Sequence, residues 1–377
     1  MKKSLLALAV VGALGCAGTA SAQSNVTIYG LIDATISTVN HADSNGNRLT
    51  GIPVAWFSGN RIGFRGNEDL GGGLKAIFKL ESEFVVGTGE MDTPGVLFNR
   101  DAWVGLQSNT FGQVTLGRQN TLARDFAQIY GDAYGSKLGP EEGGFTNNNN
   151  FKQMIFYAGS ATGTRYNNGV VWKKVFDNGV VAGLGYQFGN VAGAFSTNTT
   201  KSVALGYNGS NFLVSSFYNE ADVGNALNNS TEKHKSYSLG GSYMFDLVRL
   251  NAGYFHYTAE QGMLGKRKDD AYTVSAKFTP QGVMDYEIGY QVMKANNAAY
   301  NLAGTGTLNA YADASLANAT GSGKKSTVYG SAFYHMSKRT ELYVAADYMK
   351  LDDGYRVASA HGFKNQTEFA VGMRTKF

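Results

Sequence analysis

The side chains with the most chemical potential in this sequence are charged ones at two-residue spacing. Arg61, Arg65, Lys75, Lys79, Glu81 and Glu83 all take odd positions, while Ile62, Phe64, Leu74, Ala76, Phe78, Leu80 and Phe84 take even ones. Successive side chains of a strand alternate between its faces, so guanidinium and carboxylate groups share one face and apolar groups the other. Such a face does electrostatic rather than covalent work, because arginine stays charged at any ordinary pH and fixed charges set a field across the space they line. Covalent and metal chemistry find little support. The five histidines (His41, His234, His256, His335 and His361) are scattered without ligand spacing, and no Gly-x-Ser-x-Gly nucleophile elbow occurs. Residues 321–326 imitate a phosphate loop, but Asn318 stands where its first glycine belongs and Lys325 where Ser or Thr should follow the lysine. Residues 43–47 glance at a calcium loop with the glycine one place early and no closing acid. Both read as loops, and neither an enzyme, a cofactor nor a metal is expected.

The elements that must position these charges repeat a single unit. Residues 57–86 form an alternating strand, a glycine turn at 69–73 and a second alternating strand; glycine accepts the positive φ of such a turn without steric cost. The same period of two recurs at 25–39, 97–108, 113–119, 165–176, 180–188, 202–207, 212–218, 236–245, 248–257, 272–278, 284–293, 327–336, 342–349 and 368–377. This predicts about sixteen strands joined by alternating short turns and long loops. The long ones include 221–233, 260–269, 295–325 and 352–366. Residues 120–164 break the pattern for 45 residues, longer than a compact domain needs unless the segment is functional. Mean hydropathy is −0.22, and no stretch beyond the first residues approaches the roughly 20 apolar residues of a spanning helix. A transmembrane antiparallel β-barrel evades that test, since only alternate residues face lipid, and the 22 Tyr and 22 Phe, many at strand ends, suit its two aromatic girdles. A soluble β-sandwich would bury those aromatics, but at this length it should show two domains and a linker, and none is seen.

Residues 1–22 read as a cleaved signal peptide: Lys2 and Lys3, an apolar run at 5–14, then Ala20, Ser21 and Ala22 before Gln23. Residues 23–377 then form one barrel domain. The only cysteine, Cys16, lies inside the signal, and Ala13 stands where a lipidated cysteine would be preceded by leucine. With 33 basic against 29 acidic residues in all, loss of Lys2 and Lys3 leaves a net charge of about +2, which predicts no nucleic-acid partner.

At this point the chain resembles the trimeric general porins of Gram-negative outer membranes, and most of all their β-proteobacterial branch. The residues that carry the resemblance are 25–33, 61–76, 103–106, 112–118, 337–340 and 371–377. It implies a sixteen-stranded homotrimer in the outer membrane, with a third external loop, here 120–164, folded into the lumen to narrow it and carrying an acidic tip at Glu141 and Glu142. It implies an arginine cluster on the wall opposite that loop, at Arg61, Arg100 and Arg165, with Arg65 and Arg118 as neighbours. It also implies that Phe377 is the terminal aromatic read by the barrel-assembly machinery. Asp101 departs from anion-selective relatives that are basic there, and Asp33, Glu81 and Glu83 join Glu141 and Glu142 on the acidic side of the pore, so any anion preference is expected to be weak. Parity places Arg61 and Arg65 in the lumen, whereas Arg100 and Arg118 share parity with apolar Val104 and Leu116; as lumen residues they require a bulge near the strand top or an apolar wall behind the inserted loop.

The expected function is a water-filled channel through which ions and small hydrophilic solutes diffuse under a transverse field, with no energy source. A substrate-specific channel is the alternative within transport, hinted at by Tyr130, Tyr134 and Tyr157. A non-transport barrel would be an adhesin with a plugged lumen, or a hydrolase with a Ser/His pair at the lipid face. Outer-membrane lipid is the expected surround, and residues 266–268 read either as contacts to lipopolysaccharide phosphate or as a solvated loop.

Overall fold

The computed structural model describes residues 25–53, 56–131, 160–225, 230–300, 319–355 and 362–377. Among them are seventeen strands. The first nine are β1 (Asn25–Val39), β2 (Leu49–Gly51), β3 (Arg61–Gly71), β4 (Leu74–Glu83), β5 (Asp101–Ser108), β6 (Gly112–Asn120), β7 (Arg165–Val175), β8 (Val180–Gln187) and β9 (Thr199–Asn208). They continue with β10 (Phe212–Asn225), β11 (Ser230–Phe245), β12 (Val248–Glu260), β13 (Lys266–Phe278), β14 (Met284–Tyr300), β15 (Ala319–His335), β16 (Thr340–Asp353) and β17 (Asn365–Lys376). One α-helix, α1 (Leu122–Gly131), follows β6.

Strand β2 pairs only with the end of β1. The other sixteen pair antiparallel in sequence order, and β1 closes the ring by pairing with β3 on one side and β17 on the other. Closure leaves no edge strand, which a barrel in hydrocarbon requires because lipid offers nothing to an unpaired N–H or C=O. The tight turns fall where the glycine, Asn and Asp signals put them: Gly71, Gly72 and Gly73 all have positive φ, and the two residues Asp246 and Leu247 turn β11 into β12, with Asp246 at φ 47°.

The faces are inverted relative to a soluble sandwich. Val104, Leu205, Leu239 and Ile288 are each more than half exposed on the outside, while Asn219, Thr115, Ser236 and Gln187 are buried within. Outward tyrosines meet across strands at one level (Tyr237 to Tyr254 at 6.3 Å, Tyr254 to Tyr272 at 5.1 Å), and outward aromatics meet near the short turns (Tyr207 to Phe212 at 5.6 Å, Phe278 to Tyr286 at 6.3 Å). These two rows bracket the apolar belt as interfacial girdles do.

Several strands run past the apolar alternation, so the long loops are shorter than expected. The connection from β12 to β13 is residues 261–265 only, β14 extends to Tyr300, and β15 begins at Ala319, which makes the phosphate-loop mimic at 321–326 part of a strand. Backbone pairing needs no apolar face, so above the belt polar residues continue the ladder unseen by hydropathy. For the same reason Arg267 is not a loop residue: it points inward, 2% exposed, and is held by Asp269 at 2.6 Å, while Lys266 and Lys268 on either side face out.

Val274 lies on the outer face of β13 between outward Tyr272 and Phe278. We expect Val274→Arg to lower folding stability in lipid vesicles by about 2–4 kcal/mol, read from the urea midpoint, because the charge meets hydrocarbon; Thr273→Arg, one residue along and facing inward, should avoid that cost.

Candidate functional site

Strands β3 to β7 bring the charged face of the first hairpin into the interior. Their register pairs Arg61 with Glu83, Gly63 with Glu81 and Arg65 with Lys79 across β3 and β4, and Glu81 with Asp101 across β4 and β5. Glu81, 1% exposed, is the hub. It accepts hydrogen bonds from the Nε of Arg100 and from the hydroxyl of Tyr29 (2.7 Å), with Lys79 at 3.3 Å and Arg61 at 3.9 Å. The Arg100 Nη1 reaches Glu83 at 2.5 Å, and Lys79 holds Asp101 at 2.8 Å. Buried carboxylates are tolerable only when so paired.

This arrangement corrects the picture of a separate acidic side. Glu81, Glu83 and Asp101 lie on the same wall as the basic groups and are interleaved with them, because odd positions of adjacent antiparallel strands meet on one face. Asp33 departs further. Its carboxylate is fully buried and receives the backbone N–H groups of Phe57 (3.0 Å) and Ser58 (2.8 Å) and the hydroxyl of Tyr343 (2.5 Å), so it anchors chain rather than facing solute. Glu141 and Glu142, with Tyr134 and Tyr157 and most of 120–164, lie outside the described residues.

The two arginines of awkward parity are turned inward by local irregularities. Arg100 lies one residue before β5, where its N–H still donates to the Glu81 carbonyl but alternation has not begun. Arg118 lies at a break in register between Gly117 and Gln119, where Gly117 has φ 133° and an added Cβ would meet the Ala102 carbonyl oxygen at 2.2 Å. There Arg118 donates to two neutral acceptors, the Asn99 carbonyl (2.7 Å) and the Asn167 side chain. Arg165, the first residue of β7, pairs in register with Asn120 and lies within electrostatic reach of Glu83 and Arg118. Arg65 sits lower on the wall with its guanidinium 5.2 Å from the Tyr29 ring.

Helix α1 covers a second arc of the inner wall. Leu122, Ala123, Phe126 and Ala127 form one stripe, fully buried against Val181, Ala204, Leu213, Phe217 and Phe255 of β8 to β12. Thr121 caps it by accepting from the Arg124 N–H (3.1 Å), and Asp125 in its first turn is held by Lys173 of β7 (2.8 Å). The spacing 122, 123, 126, 127 is the helical signal a search for alternation passed over; the pairing of Lys79 with Asp101, which depends on register, and that of Lys173 with Asp125, which depends on where α1 seats, were likewise missed. At the far end of the barrel Phe377 exchanges backbone hydrogen bonds with Gly30 at 3.2 Å each way, and its ring lies over that glycine.

A cavity of about 710 Å³ opens along the charged wall, lined among others by Tyr29, Arg61, Arg65, Lys79, Glu81 and Asp101. No group of three or more His, Cys, Asp or Glu gathers as a metal site would require among the described residues. A closed barrel with an apolar exterior, two aromatic rows and a polar, charged interior is a transmembrane channel of the outer-membrane type. Comparison with known proteins gives the same class. The model of the Gram-negative porin family matches residues 6–354. An outer membrane porin protein of Bordetella pertussis is 32% identical over 97% of this chain and 100% of its own, and outer membrane porin protein 32 of Delftia acidovorans is 31% identical over 77% and 79%. An anion-selective porin from Comamonas acidovorans shares the fold with a TM-score of 0.69 at 23% identity, covering 94% of this chain and 100% of that one. The chain belongs to the Gram-negative porin family: it is a channel of the cell outer membrane through which ions and small hydrophilic solutes pass by diffusion.

Removing one partner of a buried ion pair strands the other. We expect Arg100→Gln to cost about 3–5 kcal/mol in urea titrations of the vesicle-inserted barrel. The double variant Arg100→Gln with Glu83→Gln should recover part of that loss; a single-variant cost under about 1 kcal/mol would place the pair in solvent.

Proposed function

We propose that this porin passes anions with a weak preference, set by the wall of β3 to β7. The observation that carries the reading is an imbalance on that wall: Arg61, Arg65, Lys79, Arg100, Arg118 and Arg165 face three acids, Glu81, Glu83 and Asp101, and Arg118 is held by neutral acceptors. Paired charges largely cancel at a distance, so the excess sets the sign of the potential and the pairing keeps it small. In this reading 120–164, entering the lumen through α1, narrows the passage opposite the arginines. The anion selectivity named for the Comamonas structure agrees with it.

The assembly is proposed to be a homotrimer. The exteriors of β1 and β3 to β6 expose Val26, Ile28, Ile62, Val104, Leu106 and Leu116 and carry no outward tyrosine, unlike β10 to β14, which suits a protein neighbour better than a lipid interface. Exposed outward Lys201, Lys268, Lys294, Lys324 and Lys350 stand beyond the tyrosine row, where lipopolysaccharide phosphates would meet them. Phe377 at the barrel seam would be the group read by the assembly machinery, after export with cleavage at Ala22.

Purified protein in a planar bilayer under a salt gradient tests this reading. We expect large ohmic steps in threes and a small anion-favouring zero-current potential. Arg65→Glu should move that potential toward cations, and raising salt to about 1 M should shrink the preference as the screening length falls to roughly 3 Å. A wild-type potential favouring cations would overturn the assignment of the arginines.

A further inference from the structure

A third arc of the inner wall is covered by residues 56–60, the stretch that leads into β3. Trp56, Phe57, Ser58 and Asn60 are each at most 1% exposed although they belong to a connection rather than a strand. Phe57 packs on inward Phe333 (centroids 4.9 Å apart) and edge-on to Tyr343 (4.7 Å), on the inner faces of β15 and β16. The Arg374 guanidinium of β17 lies 5.5 Å from the Phe57 ring and donates to the Ser58 hydroxyl at 3.1 Å, while its Nε is held by Glu341 at 2.6 Å.

The backbone of this segment is held by β1. The two N–H groups donated to the Asp33 carboxylate are those of Phe57 and Ser58, and the Asp33 N–H returns a bond to the Asn60 side chain at 2.6 Å. The segment's other edge meets the charged wall. The Gly59 carbonyl accepts from the Nε of Arg61 at 2.9 Å, and an added Cβ on Gly59 would fall 1.9 Å from a Glu83 carboxylate oxygen. The segment thus fills lumen beside the aromatic wall and touches Arg61 and Glu83 directly.

We infer that residues 56–60 are a second narrowing element of the pore and that Asp33 is the positioning residue that holds them against the wall and aims Arg61. The anchor suits that work because a carboxylate accepting two backbone N–H groups and a hydroxyl makes charge-assisted bonds in a site without competing water. The segment is distinct from α1 and rests on a different arc, β15 to β17 and β1 rather than β8 to β13. Solute size selection is therefore shared between two inner segments, and the Arg61 guanidinium is placed by the second.

Cysteine accessibility tests the inference independently of the channel reading. In Ser58→Cys, with Cys16→Ser if the leader is retained, a membrane-impermeant thiosulfonate should react slowly with the vesicle-inserted barrel. Adding Asp33→Ala should speed the reaction at least about tenfold, since each lost charge-assisted bond is worth more than a factor of ten in a local opening equilibrium. The same release should raise single-channel conductance and admit larger neutral sugars in a swelling assay, while the heat-induced gel shift of the folded barrel stays unchanged. Tyr343→Phe, which removes one donor to Asp33 and keeps the ring, gives a milder change in the same direction and serves if Asp33→Ala does not fold. Equal rates in both backgrounds, or a wild-type rate matching a cysteine in an exposed loop, would overturn the inference. Wild-type conductance alone reports on the channel reading.

Discussion

Everything in this molecule follows from the demand that sixteen strands leave no backbone group unpaired in hydrocarbon. The demand is met by pairing β1 with both β3 and β17, and the ring so closed fixes which face of every strand is outside. With the apolar residues committed to lipid, the interior inherits the polar half of each strand. A soluble protein buries its apolar face at no cost to hydrogen bonding; this one encloses Asp, Glu, Arg and Lys and must satisfy them.

The satisfaction is local and differs around the ring. On β3 to β7 charges answer charges, with Glu81 ringed by Arg61, Lys79, Arg100 and Tyr29. On β8 to β13 the interior is apolar enough to receive the stripe of α1, and Ser215 donates to the Phe126 carbonyl at 2.7 Å to seat it. On β15 to β17 an aromatic patch receives Phe57, and the buried Asp33 carboxylate of neighbouring β1 receives its backbone. The open passage is what these arcs leave, so the field and the width of the pore are set by the same side chains. Further round, toward the short turns, Lys277, Asp285, His335 and Glu341 form another paired group, with His335 bridging the two acids at 2.9 and 3.0 Å. A charge in this interior is seldom independent of its neighbours.

The barrel was legible residue by residue. Period-two alternation at 25–39 coincides with β1, and the glycine and Asn-Gly signals at 69–73 and 177–179 became turns. Legibility ended where hydropathy stopped reporting on pairing: Arg267 and the stretch 321–326 read as loop because their strands continue above the lipid belt, where polar residues fill both faces. It failed differently at the site. Arg61 and Arg65 were placed inside by parity alone, but Arg100 and Arg118 needed a strand start and a register break that no periodicity encodes, and α1 was hidden by its own different period.

The linear chain by itself determined the class of protein, the strand number and the inward parity of most charges, because alternation and turn chemistry are local properties carried by neighbouring residues. Only the tertiary structure decided what the charges do. Asp33 and Phe57 are 24 residues apart, Asp33 and Tyr343 are 310 apart, and Arg100 is 19 from Glu81. Whether a carboxylate faces solute or clasps a backbone depends on which of these distant groups closure brings within 3 Å of it, and closure is a property of the whole ring.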